Sequence, residues 1–327
     1  MASEFQNIII IDSPAYDNHD TGGGEYPETP ERVRAVRERL NSGPLAACLK
    51  WVVPRPAARE RLIAVHDENY LFRFEEAVLA GQTWFGHRDN QICFDSFDSA
   101  VMAAGAGPAG VDLLEDGEAE LVFCPVRPPG HHAERAMALG FCFLNNVAIA
   151  ADYWRQAYGR KRIFILDFDA HHGNGIQAAF ETSGSVFYAS IHEHPTYSFP
   201  GSGYAEERGF NGGKGTTLNI PLPPGAGDDM VLEVMRDKIG PVLEKFRPEA
   251  LIIAAGFDAH GQDDMSGLDY STILYSRLGG WIRKWAGQFC GSRVLSILEG
   301  GYNPPVLALS VEAYLAGLAY NKKYNKK

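Results

Sequence analysis

At 327 residues, with 45% hydrophobic and 22% charged residues, the chain is long enough to bury a substantial core and has the balance of a soluble globular protein, not of a low-complexity one. A formal net charge of -11 argues against non-specific binding to nucleic acid or an anionic membrane, both of which need a positive field, while a cationic substrate is compatible with it. Five cysteines, Cys48, Cys93, Cys124, Cys142 and Cys290, form no CxxC pair, and no run approaches the roughly 20 apolar residues that span a bilayer, so a reducing, cytoplasmic location is expected.

Short β-branched and apolar runs alternate with longer stretches of helical spacing. Ile8 to Ile11 reads as the first strand, followed by helices over Pro30 to Leu40, Glu68 to Ala80 and Ser99 to Leu114. Leu121 to Val126 is a strand, Asn145 to Tyr158 a helix, and Ile163 to Phe168 and Val186 to Ile191 are two further strands. The spacing then predicts a helix over Met230 to Phe246, a strand over Leu251 to Ala255, a helix over Ser271 to Trp285, a strand over Val294 to Leu298 and a helix over Pro305 to Tyr320. Such alternation implies parallel strands with crossover helices, and hence one α/β domain over residues 1–327. The terminal Lys322, Lys323, Lys326 and Lys327 read as a solvated end.

The strand ends carry the chemistry. Ile163 to Leu166 runs into Asp167, Asp169, His171 and His172, where a structural strand usually finishes in turn residues; Leu251 to Ala255 runs into Asp258. Leu121 to Val126 is followed by the pair His131-His132, and Ser296 to Leu298 by Glu-Gly-Gly-Tyr302. In open α/β sheets ligands bind beyond the carboxyl ends of the strands, so all four groups are expected at one edge. Singly, each has a bland reading: a lone Asp there is more often a cap, and a lone His a satisfied core residue. Four together are hard to explain structurally.

Asp169 and His171 are two apart, which in an extended chain points both side chains the same way. With Asp258 they make two carboxylates and one imidazole, three ligands that leave a place for water, as in a catalytic zinc site; Fe(II) or Co(II) fits nearly as well. His132 is the candidate base for the water proton and His131 assists protonation of the leaving amine, with Asp167 and Asn174 as nearby polar groups to orient them. Tyr302, flanked by glycines, is placed to donate its hydroxyl to a developing oxyanion.

Five segments, Arg127-Pro-Pro-Gly-His-His-Ala133, Gly140-Phe-Cys-Phe-Leu-Asn145, Asp167-Phe-Asp-Ala-His-His-Gly-Asn-Gly175, Ala255-Gly-Phe-Asp-Ala259 and Leu298-Glu-Gly-Gly-Tyr-Asn303, resemble the histone deacetylase superfamily. The similarity is to class II deacetylases and to bacterial deacetylase-like and acetylpolyamine amidohydrolases. It implies an arginase-like, three-layer α/β fold with a central, mainly parallel, eight-stranded sheet. It also implies pairing of His131 with Asp167 and of His132 with Asn174, where class I enzymes carry Asp; an amide partner is expected to leave His132 less basic. A structural potassium ion is implied near Asp167, Asp169, His171 and Ser190, and an apolar substrate tunnel walled by Gly140, Phe141 and Phe199. Gly300 is implied as a further substrate-binding residue, and Asp89 aligns loosely with a rim aspartate that holds the substrate backbone.

The sequence departs from the family pattern at two places. Tyr26 stands where class II members usually place His, and Met265 where a polyamine-selective relative has a glutamate. Met265 counts against one route to polyamine recognition, although Glu25, Asp89 or a partner subunit in a homo-oligomer could supply negative charge. The leading expectation is hydrolysis of an acetylated amine, either an acetyl-lysine peptide or a small amine, and its rival is a selective acetylpolyamine amidohydrolase. A ureohydrolase would need a second metal and leaves the His pair without a role. A non-catalytic acyl-binding module would be marked by loss of Tyr302 or a ligand, and neither is lost.

Overall fold

The computed structural model describes residues 7–22 and 26–320, so Glu25 and the terminal lysines lie outside the described residues. In chain order the strands are β1 (Ile8–Ile11), β2 (Leu49–Val52), β3 (Trp84–Phe85), β4 (His87–Gln91) and β5 (Leu121–Cys124). They continue with β6 (Ile163–Asp167), β7 (Val186–Glu193), β8 (Thr217–Leu222), β9 (Ala250–Ala255) and β10 (Val294–Leu298). Eight of these form one sheet in the order β2-β1-β5-β10-β9-β6-β7-β8. Every pairing in it is parallel, which sharpens the expectation of a mainly parallel sheet. β3 and β4 make a separate antiparallel hairpin.

Every residue of β1, β5, β6, β7, β9 and β10 is buried, so both faces of the sheet are covered. The cover is helical. Helices α1 (Glu31–Ser42), α2 (Arg59–Val65), α3 (Glu68–Leu79), α4 (Ser96–Glu115) and α5 (Asn146–Tyr158) precede α6 (Asn174–Phe180), α7 (Asp228–Val234), α8 (Gly240–Phe246), α9 (Thr272–Phe289) and α10 (Pro304–Ala319). α10 packs against α9 and α1, and α4 against α5. A side chain at Gly279 of α9 would strike the Tyr314 carbonyl at 2.3 Å, and one at Gly317 of α10 the Ser276 carbonyl at 2.0 Å, so glycine on each helix permits their close crossing. Among the described residues no helix is long and apolar enough to cross a membrane.

All six expected strands are present, and the unforeseen members of the sheet are its two edges. β2 reads Leu-Lys-Trp-Val and is half exposed, and β8 contains Pro221, which an edge tolerates because its missing N–H faces no partner strand. The expected helix over Met230 to Phe246 begins at Asp228 and is broken in character by a π turn over Met235–Ile239. Pro241 in the first turn of α8 has no N–H for an i–4 bond, and the wider turn lets Gly240 N–H reach the Met235 carbonyl.

Candidate active site

The four motif-bearing strands β5, β10, β9 and β6 are consecutive neighbours in the middle of the sheet. Their carboxyl ends therefore open onto one place. There Asp169, His171 and Asp258, all buried, bring one ligand atom each to within 4.8 Å of one another. His171 Nδ1 lies 3.1 Å from Asp169 Oδ1 and 2.9 Å from Asp258 Oδ2, while its Nε2 lies 3.1 Å from the Met265 carbonyl. A carbonyl only accepts, so Nε2 carries a proton and Nδ1 is the nitrogen left to face the two carboxylates.

The donor set suits a cation. Burial and the facing Asp169 push the Asp258 carboxyl up to about 6, against the opposing pull of His171. Burial also acts against Asp169, but His131 and His171 hold its carboxyl well below the usual range. Burial likewise opposes the His171 imidazolium, yet Asp258 and Asp169 together raise it well above the ordinary histidine value. Two buried carboxylates and an imidazole at this spacing fit a divalent ion with mixed oxygen and nitrogen ligands.

The histidine pair stands beside this group, with ring centroids 3.9 Å apart. His131 Nδ1 meets Asp167 Oδ2 at 3.2 Å, and the same oxygen accepts the Tyr188 hydroxyl at 3.0 Å. His132 Nδ1 meets Asn174 Oδ1 at 2.8 Å, while the Asn174 amide donates to Glu134 and to the His132 carbonyl. That orientation makes His132 Nδ1 the protonated nitrogen and leaves Nε2 free to accept a proton. Burial depresses His131, but Asp169 and Asp167 more than compensate and raise it to about 10. Burial depresses His132 too, and here the positive His131 and His171 add to it, so that it falls well below the usual value despite Asp169 and Asn174. One histidine is thus held as imidazolium and its neighbour as neutral imidazole.

Tyr302 is kept protonated, since burial raises its phenol well above the ordinary value against the pull of Arg32. The Arg32 guanidinium lies 4.7 Å from the Tyr302 ring centroid and donates to the carbonyls of Gly301 and Glu299. Arg32 is in turn held at 2.7 Å by Glu28, which also receives Arg127 at 2.8 Å. Glu299 accepts the Gly130 and His131 amides at 2.7 and 3.0 Å and so ties the histidine loop to β10. Burial lifts its carboxyl to about 7. The sequence reading gave none of Glu28, Arg32, Arg127 or Glu299 a role. A charged residue in a sequence usually marks a solvated face, and these are fully buried. Arg127 and Glu299 stand inside the five motifs, whereas Glu28 and Arg32 lie far upstream of them in the chain.

Above the ligands is a cavity of about 210 Å³ lined by Asp89, His132, Gly140, Phe141, His171, Phe199, Met265 and Tyr302. Phe199 stands edge-on to His132 at 4.9 Å and Phe141 to Tyr302 at 5.5 Å, giving aromatic walls on both sides. Gly140 and Phe141 both have positive φ, 57° and 65°, which turns the chain sharply at the wall; a side chain at Gly140 would strike His132 at 2.4 Å. Tyr26 is buried edge-on against Phe141 at 5.2 Å. Asp89 is at the cavity, with one oxygen accepting the Gly140 amide at 3.2 Å and the other 2.7 Å from His87 Nδ1.

Gly300 and Ser190 both lie outside the cavity lining. The Gly300 amide donates to Asp169 Oδ2 at 2.7 Å, two residues past the end of β10, where a side chain would strike both ligand carboxylates. Ser190 is paired with Asp167 on the neighbouring strand β7, and its hydroxyl donates to His192 Nδ1 at 2.7 Å because His192 Nε2 is engaged by the Gly203 carbonyl.

A family model described as the histone deacetylase domain matches residues 26–318, and the chain belongs to the histone deacetylase family. It is 37% identical over 302 residues to histone deacetylase 14, chloroplastic, of Arabidopsis thaliana, covering 88% of this chain and 71% of that protein. It is 34% identical over 296 residues to the histone deacetylase-like amidohydrolase of Pseudomonas aeruginosa, covering 90% and 77%, respectively. A probable deacetylase of Archaeoglobus fulgidus is 36% identical over 299 residues, covering 89% of this chain and 82% of that one. The crystal structure of the HDA15 HD domain matches with a TM-score of 0.89 at 32% identity, over 96% of this chain and 88% of that chain. The protein is accordingly a hydrolytic deacetylase built on the arginase/deacetylase fold.

Proposed function

We propose that the chain hydrolyses the amide of an acetylated primary amine, with acetyl-lysine in a peptide as the substrate class. The observation that carries this reading is the convergence of ligand triad, neutral His132 and protonated Tyr302 on one aromatic-walled cavity. Asp169, His171 and Asp258 would hold zinc, with Fe(II) or Co(II) as chemical alternatives, and the bound ion supplies Lewis acidity toward the acyl carbonyl and an attacking water. His132 Nε2 takes the proton of that water, and the Asn174 bond to Nδ1 fixes the ring for it. His131, held as imidazolium by Asp167, stabilises the developing negative charge and helps return a proton to the leaving amine. The Tyr302 hydroxyl donates to the oxyanion, and Phe141 and Phe199 flank the alkyl chain and keep water from it.

A structural potassium ion would use Asp167 and Ser190 with the backbone carbonyls of Asp169 and His171. Ser190 suits the part, because its hydroxyl proton is given to His192 and its lone pairs are left free. For the substrate class, Met265 gives the wall no charge, which favours a peptide over a polycationic amine. Zinc-loaded protein should release acetate faster from acetyl-lysine peptides than from N-acetylated putrescine, cadaverine or spermidine. The opposite ranking would replace this assignment with an acetylpolyamine amidohydrolase, and no turnover of any of them would overturn the reading.

A further inference from the structure

The loop that follows Asp258 contains a carboxylate that the proposed reaction does not use. Asp263 is 6% exposed. Its Oδ2 accepts the Tyr302 amide at 2.6 Å and the Asn303 amide at 3.1 Å, and its Oδ1 accepts the Met265 amide at 3.1 Å. The other side of the Met265 residue faces the ligand triad, with its carbonyl 3.1 Å from His171 Nε2. One carboxylate therefore joins the segment that presents Tyr302 to the residue that orients His171.

We propose that Asp263 is a positioning residue that couples the oxyanion donor Tyr302 to the metal ligand His171. The inference rests on the roles assigned to those two side chains. Three amide donors on one buried carboxylate satisfy both of its oxygens and fix the two loops to each other, beside the Asn303 side-chain amide, which donates to the Gln262 carbonyl at 2.7 Å. The rest of the Asp263 loop has anchors of its own: the Ser266 hydroxyl donates to the Asp258 carbonyl, and the Gly267 amide to Glu193. Loss of Asp263 should therefore loosen the Tyr302 and Met265 attachments without releasing the loop.

The two oxygens can be tested apart. In Asp263→Asn the single remaining oxygen is expected to face the two donors of Tyr302 and Asn303, which turns the amide NH2 against the Met265 N–H. Zinc release to a chromogenic chelator should then quicken by about 10-fold, while kcat at saturating zinc on an acetyl-lysine peptide changes by less than about threefold. Asp263→Ala removes both sides. Zinc release should quicken at least as much, and kcat at saturating zinc should fall about 10-fold or more.

In a Tyr302→Phe background, Asp263→Ala should cost no further kcat yet still quicken zinc release. Unchanged zinc release in both variants, or kcat losses for Asp263→Ala and Tyr302→Phe that multiply, would overturn the coupling. If Asp263→Ala does not fold, as judged by circular dichroism, zinc release from Asp263→Asn decides alone: acceleration supports the proposal and an unchanged rate overturns it. A fully active Tyr302→Phe single variant would instead remove the oxyanion assignment, and the zinc readout tells that failure apart from failure of the bridge.

Discussion

Gly300→Ala is a one-methyl test of how tightly the ligand group is packed. The added Cβ would lie 2.2 Å from Asp258 Oδ2 and 2.6 Å from Asp169 Oδ2. Against an ordinary non-bonded separation of about 3.5 Å, both carboxylates must retreat by roughly 1 Å. A metal site tolerates displacements of about 0.2 Å in its ligand distances. The carboxylates cannot retreat freely, because Asp258 Oδ1 accepts the Ala170 amide at 2.9 Å and Asp169 Oδ2 the Gly300 amide at 2.7 Å. Zinc affinity should therefore fall by about 100-fold or more, with an overpacking cost of about 1–3 kcal/mol to the metal-free fold.

The assay is metal content after dialysis against graded chelator, with urea unfolding of the metal-free protein beside it. Gly280→Ala is the control, since its Cβ meets nothing within 4 Å on an exposed turn of α9, and it should be neutral or mildly stabilising. Wild-type zinc retention in Gly300→Ala would refute the packing argument and with it the placement of the two carboxylates.

Asn174→Asp should move the acid limb of the kcat/KM profile upward by about one pH unit or more, because a carboxylate partner favours the protonated form of His132, and the base works only when neutral; an unmoved or lowered limb would contradict the role given to His132. Glu299 has its folded-state carboxyl raised from 4.5 to about 7, so its stabilising contribution is full below the lower value and is lost as pH rises through the upper one. Glu299→Gln should remove that slope, worth about 3 kcal/mol between pH 4.5 and 7, and urea curves for the two proteins that stay parallel over this window would show the prediction wrong. Arg127→Ala leaves Glu28 buried with one fewer cation and frees the Tyr16 and His19 carbonyls, and should destabilise the fold by about 3–5 kcal/mol in equilibrium unfolding. A loss below about 1 kcal/mol would mean that the network is not held by this residue.

The parts of the site that were legible in the sequence are those whose chemistry needs rare residue types close together in the chain. Asp167, Asp169, His171 and Asn174 fall within eight residues, and the His131-His132 pair is adjacent, so strand periodicity alone carries them to the sheet edge. The partners that set their behaviour are far away in sequence. Arg32 reaches the Gly301 and Glu299 carbonyls, and Arg127 reaches Glu28, across separations that no local pattern encodes. Asp263 belongs to no local pattern, because its three amide donors come together only once the loops after β9 and β10 are folded side by side. The fold was legible by the same logic. The buried central strands announce themselves as apolar runs, while β2 and β8 have the mixed composition that an edge permits.

The most direct test of the mechanism is acetate release from an acetyl-lysine peptide by chelator-stripped protein as zinc is added back, with bound metal counted in parallel. Activity should rise in proportion to zinc and level off at about one ion per chain, as a single site with three protein ligands requires. Asp258→Ala should take up no tightly held zinc and release no acetate. Undiminished turnover in stripped protein, or a wild-type response in Asp258→Ala, would contradict the account.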